Sequence, residues 1–88
     1  MPRVELTKES LEYTLNRIQE KLQRRLVEKG KLSLTSTHEV AGVIEEEWDE
    51  FKDAVHVNDH ENYEEELLDI IVGCMVGIMS KQVKGLDW

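Results

Sequence analysis

Cysteine appears once in 88 residues, at Cys74. That excludes an internal disulfide framework and fits a reducing compartment. Proline also appears once and glycine five times, beside 40% hydrophobic content. The chain is therefore neither fibrous nor disordered by composition. No repeat, low-complexity tract or Pro/Gly-rich linker divides it, so a single domain over residues 1–88 is expected. No apolar run is longer than Ile70–Met79, about half of the ~20 residues a membrane helix requires. The opening Met1-Pro2-Arg3-Val4-Glu5 lacks the apolar stretch of a cleavable signal. The expectation is a cytoplasmic protein with no membrane partner. Basic residues are scarce: 11 against 19 acidic, a formal net charge of −8. Such a surface repels nucleic acid phosphate, so no nucleic-acid partner is expected.

The charge is concentrated. Residues 1–31 carry eight Lys/Arg and five acids, and residues 32–38 carry none. Residues 39–69 carry thirteen acids and one base, Lys52, whereas residues 70–88 carry two Lys and one Asp. All of the net negative charge thus lies in 31 consecutive residues that are interleaved with apolar ones. A solvated helical face and a site that holds cations both fit such a block.

Nothing alternates with period two, so no sheet is expected, and three helices account for the pattern. The first runs over about 8–29, with Leu11, Leu15, Ile18, Leu22 and Leu26 on one face, Thr7 as N-cap and Gly30 as stop. The second runs over about 37–57, opened by Ser36-Thr37-His38-Glu39, which fits the S-x-x-E capping box. The third runs over about 61–83, after Asn58-Asp59-His60, with Gly85 as candidate C-cap.

On a helical wheel, Val40, Ile44, Trp48, Phe51 and Val55 of the second helix fall within about 80°, and Val43 and Ala54 extend that arc. Glu47 falls inside it, and Glu50 lies at its flank. Glu45, Asp49 and Asp53 face away, with Glu46 intermediate. Burying an unpartnered carboxylate costs several kcal/mol, so Glu47 must be paired, protonated or metal-bound. A salt bridge to Arg17 or Arg24 would satisfy it.

The third helix is apolar around most of its circumference, Cys74 and the Met residues included. Its exception is the strip Glu66, Asp69, Gly73, Gly77 and Ser80. Glu66 and Asp69, at i and i+3, project together. The small residues beside them allow either close helix packing or a hollow for a ligand. Two helices thus present the carboxylate pairs Glu47/Glu50 and Glu66/Asp69. Converging carboxylates repel, and a hard divalent cation relieves that. Mg²⁺ is the expected ion, with Mn²⁺ as the alternative. Zinc is disfavoured because the block offers no Cys and only peripheral His, and there is no D-x-D-x-D-G loop for an EF-hand.

Glu46-Glu47-Trp48-Asp49-Glu50, then fifteen residues, then Glu66-Leu67-Leu68-Asp69 reads EExxE followed by ExxD. Over residues 36–80 this resembles the MazG-like, all-α nucleoside triphosphate pyrophosphatase superfamily. His38-Glu39 ahead of the motif is similar to a His-Glu pair in some small members. Two features depart from the pattern: many members continue into a further helix beyond the point matching Trp88, and many carry a small residue where Asp49 stands.

The resemblance implies an antiparallel helical bundle completed between chains, in a homo-oligomer of two or four copies. It implies hydrolysis of a nucleoside triphosphate to the monophosphate and pyrophosphate. Glu47, Glu50, Glu66 and Asp69 match the metal ligands, and Glu46 matches a leading Glu with a catalytic, water-orienting role. Substrate-binding candidates are His38 and Trp48 for the base and Lys81 and Lys84 for phosphate, with Arg24 and Arg25 unranked beside them. The alternative is a non-catalytic oligomerisation or partner-binding module with the same fold.

Overall fold

The computed structural model describes residues 1–87 and forms α1 (Lys8–Lys29), α2 (Thr37–His56) and α3 (His60–Gln82), with no strand among the described residues. The helix count, the all-helical class and the bounds of α1 are as read from the sequence. Trp88, the expected end of the tail, lies outside the described residues.

The caps explain the boundaries. Thr7 accepts from the Ser10 N–H, and Ser10 Oγ accepts from the Thr7 N–H, each at 3.0 Å. At α2 only half of the expected box forms. Ser36 Oγ accepts from the Glu39 N–H at 3.0 Å. The Glu39 carboxylate, however, accepts from the Thr35 N–H at 2.9 Å instead of returning to Ser36. At α3, Asp59 is the N-cap and accepts from Asn62 N–H and Nδ2, so the helix starts one residue early. It also ends one residue early, and the left-handed residue after it is Lys84 (φ 61), not Gly85. Gly85 is small for a different reason: a Cβ there would lie 2.6 Å from Ser33 Cβ.

Helix α3 is the centre, packing against both α1 and α2, while α1 and α2 do not pack on each other. Val40 lies against Gly77, and Val43 and Ile44 lie against Gly73, so α2 and α3 run antiparallel. Tyr13 meets Glu64 and Lys21 meets Asp69, so α1 and α3 run parallel. The strip of small residues is therefore a packing seam. A Cβ on Gly77 would sit 2.8 Å from Val40 Cγ1, a stiff β-branched side chain that cannot yield cheaply. Ser80, 2% exposed, uses its hydroxyl to hold the Leu34 N–H at 3.0 Å and so ties down the α1–α2 connection.

The apolar core is small: Ala54, Leu68, Val72 and Val76. Several expected core positions are not buried. Leu11 and Leu15 of α1, Trp48 and Val55 of α2, and Cys74, Ile78 and Met79 of α3 are exposed. The reason is geometric. The buried arc of α2 is rotated toward Val43, Glu47 and Ala54, and a three-helix chain covers only two sides of α3. No residue of α1 is fully buried. The molecule exposes 7181 Å², where a compact monomer of this mass exposes about 5,400 Å². Its radius of gyration is 14.8 Å, against about 12 Å for a compact chain of this length.

Polar contacts fasten α1 to the first half of α3. Arg17 bonds Glu64 at 3.0 Å and also bonds Glu65, and Tyr13 Oη donates to Glu64 at 2.6 Å. These partners hold the Glu64 and Glu65 carboxyls below the usual carboxylate range. For Glu64 the largest cause is the Tyr13 hydrogen bond, then Arg17. For Glu65 it is the hydrogen bond from Lys21, then Arg17.

Candidate metal centre

Helices α2 and α3 cross with their carboxylate pairs facing each other. Glu47 and Glu50 come from adjacent turns of α2, and Glu66 and Asp69 from adjacent turns of α3. One oxygen from each lies within 4.8 Å of the others. Glu50 is exposed and the other three are half-buried. Glu47 Oε2 and Glu66 Oε2 are shielded from solvent and have no hydrogen-bond partner among the described residues. Neither Arg17 nor Arg24 pairs with Glu47: Arg17 is committed to Glu20, Glu64 and Glu65.

The electrostatics follow from that geometry. Burial, then the charges of Asp69 and Glu50, push the Glu47 carboxyl up to about 7. Burial, then Glu50 and Asp69, also raise Glu66. Two orphaned inward oxygens among four carboxylates are the donor set a hard cation takes: oxygen ligands only, with room for waters. The four carboxylates present could hold a hard divalent cation.

The tetrad opens onto a cleft of about 290 Å³ between α1 and α2. Glu47, Glu50 and Asp69 line one side with Val43, Val72 and Gly73. Lys21, Arg24, Arg25 and Lys29 of α1 line the other, with Glu28 among them. A wall of carboxylates thus faces a wall of bases. No family model, curated protein or solved structure matches the chain.

The other candidates fall elsewhere. Glu46 is exposed and belongs to neither the tetrad nor the cleft lining. Trp48 is half-exposed and packs against Phe51, with ring centroids 5.6 Å apart and Lys52 above it, away from the cleft lining. His38 is exposed in the first turn of α2, nine residues or about 14 Å of helix from Glu47. Lys81 lines an outer apolar groove with Ile44, Cys74 and Ile78, and Lys84 is exposed beyond α3. Both lie at least twelve residues, about 18 Å of helix, beyond Asp69. Of the phosphate candidates, only Arg24 and Arg25 are in the cleft.

Lys21 and Lys29 were not singled out by the sequence reading. A signal was present for Lys21: it falls with Arg17, Arg24 and Arg25 within about 100° of a wheel, beside the apolar face of α1. The matched spacings Arg17/Lys21 and Glu65/Asp69, both i, i+4, also prefigure a ladder between parallel helices.

Proposed function

We infer that this protein is a Mg²⁺-dependent nucleotide pyrophosphohydrolase, converting a nucleoside triphosphate to its monophosphate and pyrophosphate. The observation that carries the reading is the pair of shielded, unpartnered oxygens on Glu47 and Glu66 within a four-carboxylate cluster. The resemblance of EExxE and ExxD to the MazG-like superfamily supports the same reading from the sequence.

In this reading Glu47, Glu50, Glu66 and Asp69 hold the metal. A divalent cation held there would supply positive charge against the charge of a phosphate tail. The chain's own part is to position and to screen. Arg24, Arg25 and Lys29 face the carboxylates across the cleft and offer the phosphate tail donors that the acidic wall lacks. Half-burial of Glu47 and Asp69 lowers the local dielectric and strengthens those interactions. Glu46 is exposed and lies outside the cleft lining.

A panel of NTPs and dNTPs assayed for pyrophosphate release in millimolar Mg²⁺ tests this. Release of pyrophosphate from at least one nucleotide is expected, and none above a metal-free control would leave only the non-catalytic module.

Assembly belongs to the same proposal. The surface in excess of a compact monomer is roughly 1,800 Å², comparable to one protomer's share of an obligate interface. It includes Leu11, Leu15, Ile78 and Met79. A homo-oligomer, dimer or tetramer, is expected by light scattering at micromolar concentration, and a monomeric mass there would contradict it.

A further inference from the structure

Lys21 is the one base bonded to a member of the tetrad among the described residues. Its ammonium lies 3.0 Å from Asp69 Oδ1 and 2.8 Å from Glu65 Oε2, and the side chain is 17% exposed. Arg17 bonds the other oxygen of Glu65, so the second anchor is itself fixed. Lys21 and Asp69 both line the cleft, with Arg24 and Arg25 about one helical turn further along α1. We propose that Lys21 is a resident counter-ion that a divalent cation displaces from Asp69, and that the displaced ammonium then serves the anion bound across the same cleft. The proposal rests on the metal reading of the tetrad.

Lys21 Nζ lies 3.0 Å from Asp69 Oδ1, so a divalent cation taken by Asp69 would meet an ammonium beside it, and a +2 and a +1 charge repel strongly in a half-buried site. The lysine stem has four rotatable bonds and a compact charge, so the head can swing while Glu65 tethers it. The direction open to it is the cleft, where Arg24 and Arg25 already concentrate positive charge. Lys21 therefore opposes the metal when the site is otherwise empty and assists once an anion is present.

That predicts opposite signs in two titrations on one variant. Mg²⁺ alone, followed by calorimetry, should bind Lys21→Met about fivefold more tightly than wild type, because the competing cation is gone. Inorganic pyrophosphate at saturating Mg²⁺ should bind Lys21→Met about tenfold more weakly. Lys21→Arg should keep the wild-type order of both. If Lys21→Met loses its helical circular dichroism, Lys21→Gln, which retains a donor for Glu65, is read the same way. Wild-type binding of Mg²⁺ with no tightening in the variant, or with unchanged pyrophosphate affinity, overturns the role of Lys21 alone. Failure of the wild-type chain to bind Mg²⁺ removes the metal reading and this role with it.

Discussion

Replacing Glu47 by Gln is expected to abolish turnover and to stabilise the metal-free protein. The two effects share one cause. Turnover falls by roughly 10²–10³ or more because the cation loses a charged ligand that also faces the cleft. Stability rises because Glu47 is held against its own preference: burial and the neighbouring carboxylates push it up to about 7. A neutral amide relieves the repulsion and gives the tetrad a donor. With solvent screening allowed for, the gain is about 1 kcal/mol at pH 8 without metal, or roughly 5 °C in Tm for a domain of this size. Asp69→Asn is the contrast. It also loses turnover, but it weakens the 3.0 Å contact with Lys21 and so lacks the stability gain. The check is a coupled assay of pyrophosphate release beside thermal melts in chelator. Wild-type rates in both variants would sink the ligand assignment. A lower metal-free Tm for Glu47→Gln would sink the account of why Glu47 is perturbed.

Much of this site was legible in the sequence because it is local. Glu47/Glu50 and Glu66/Asp69 are each three apart on a helix, and the wheel alone sets their direction. Only one inter-helix relation, the α2–α3 crossing, was then needed to bring them within 4.8 Å of one another. The small residues at Gly73 and Gly77 fix that crossing by admitting Val40, Val43 and Ile44. The basic wall was less legible because it depends on where α1 lies, and hydrophobic periodicity misleads there. Leu11 and Leu15 share a stripe with Ile18, Leu22 and Leu26, yet they are more than half exposed. Contacts from Tyr13, Arg17 and Lys21 to acids of α3 set the placement instead. Long-range ion pairs have no periodic signature of their own. The wheel reading of Trp48 and Val55 failed for a related reason: one chain leaves part of an apolar face uncovered.

The stabilisation by Mg²⁺ should depend steeply on pH, with the opposite sense to the metal-free protein. The unfolded carboxyl titrates near 4.5 and the folded Glu47 near 7. Below 4.5 both states carry the proton, and Glu47 costs the fold nothing. Between 4.5 and 7 the folded state keeps a proton that the unfolded state has released, so stability falls as pH rises and the loss is complete above 7. Raised Glu66 acts in the same direction. A divalent cation needs the deprotonated carboxylates, so its affinity gains through that same window. At pH 8 and a hundredfold excess over Kd, the ion adds about 2.7 kcal/mol. At pH 6, one unit below the Glu47 value, about a tenth of that group is ionised, and roughly 1.4 kcal/mol of the gain disappears. Thermal melts at pH 6 and pH 8, with and without Mg²⁺ at matched ionic strength, should therefore show two slopes of opposite sign: Tm declining with pH in chelator, and the Mg²⁺ increment growing with it. Glu47→Gln should flatten both, since it removes the proton that links them. An equal increment at the two pH values would mean that the ion binds carboxylates already ionised at the surface, where Glu45, Asp49 and Asp53 are exposed, and that the shielded oxygens of Glu47 and Glu66 do not hold it.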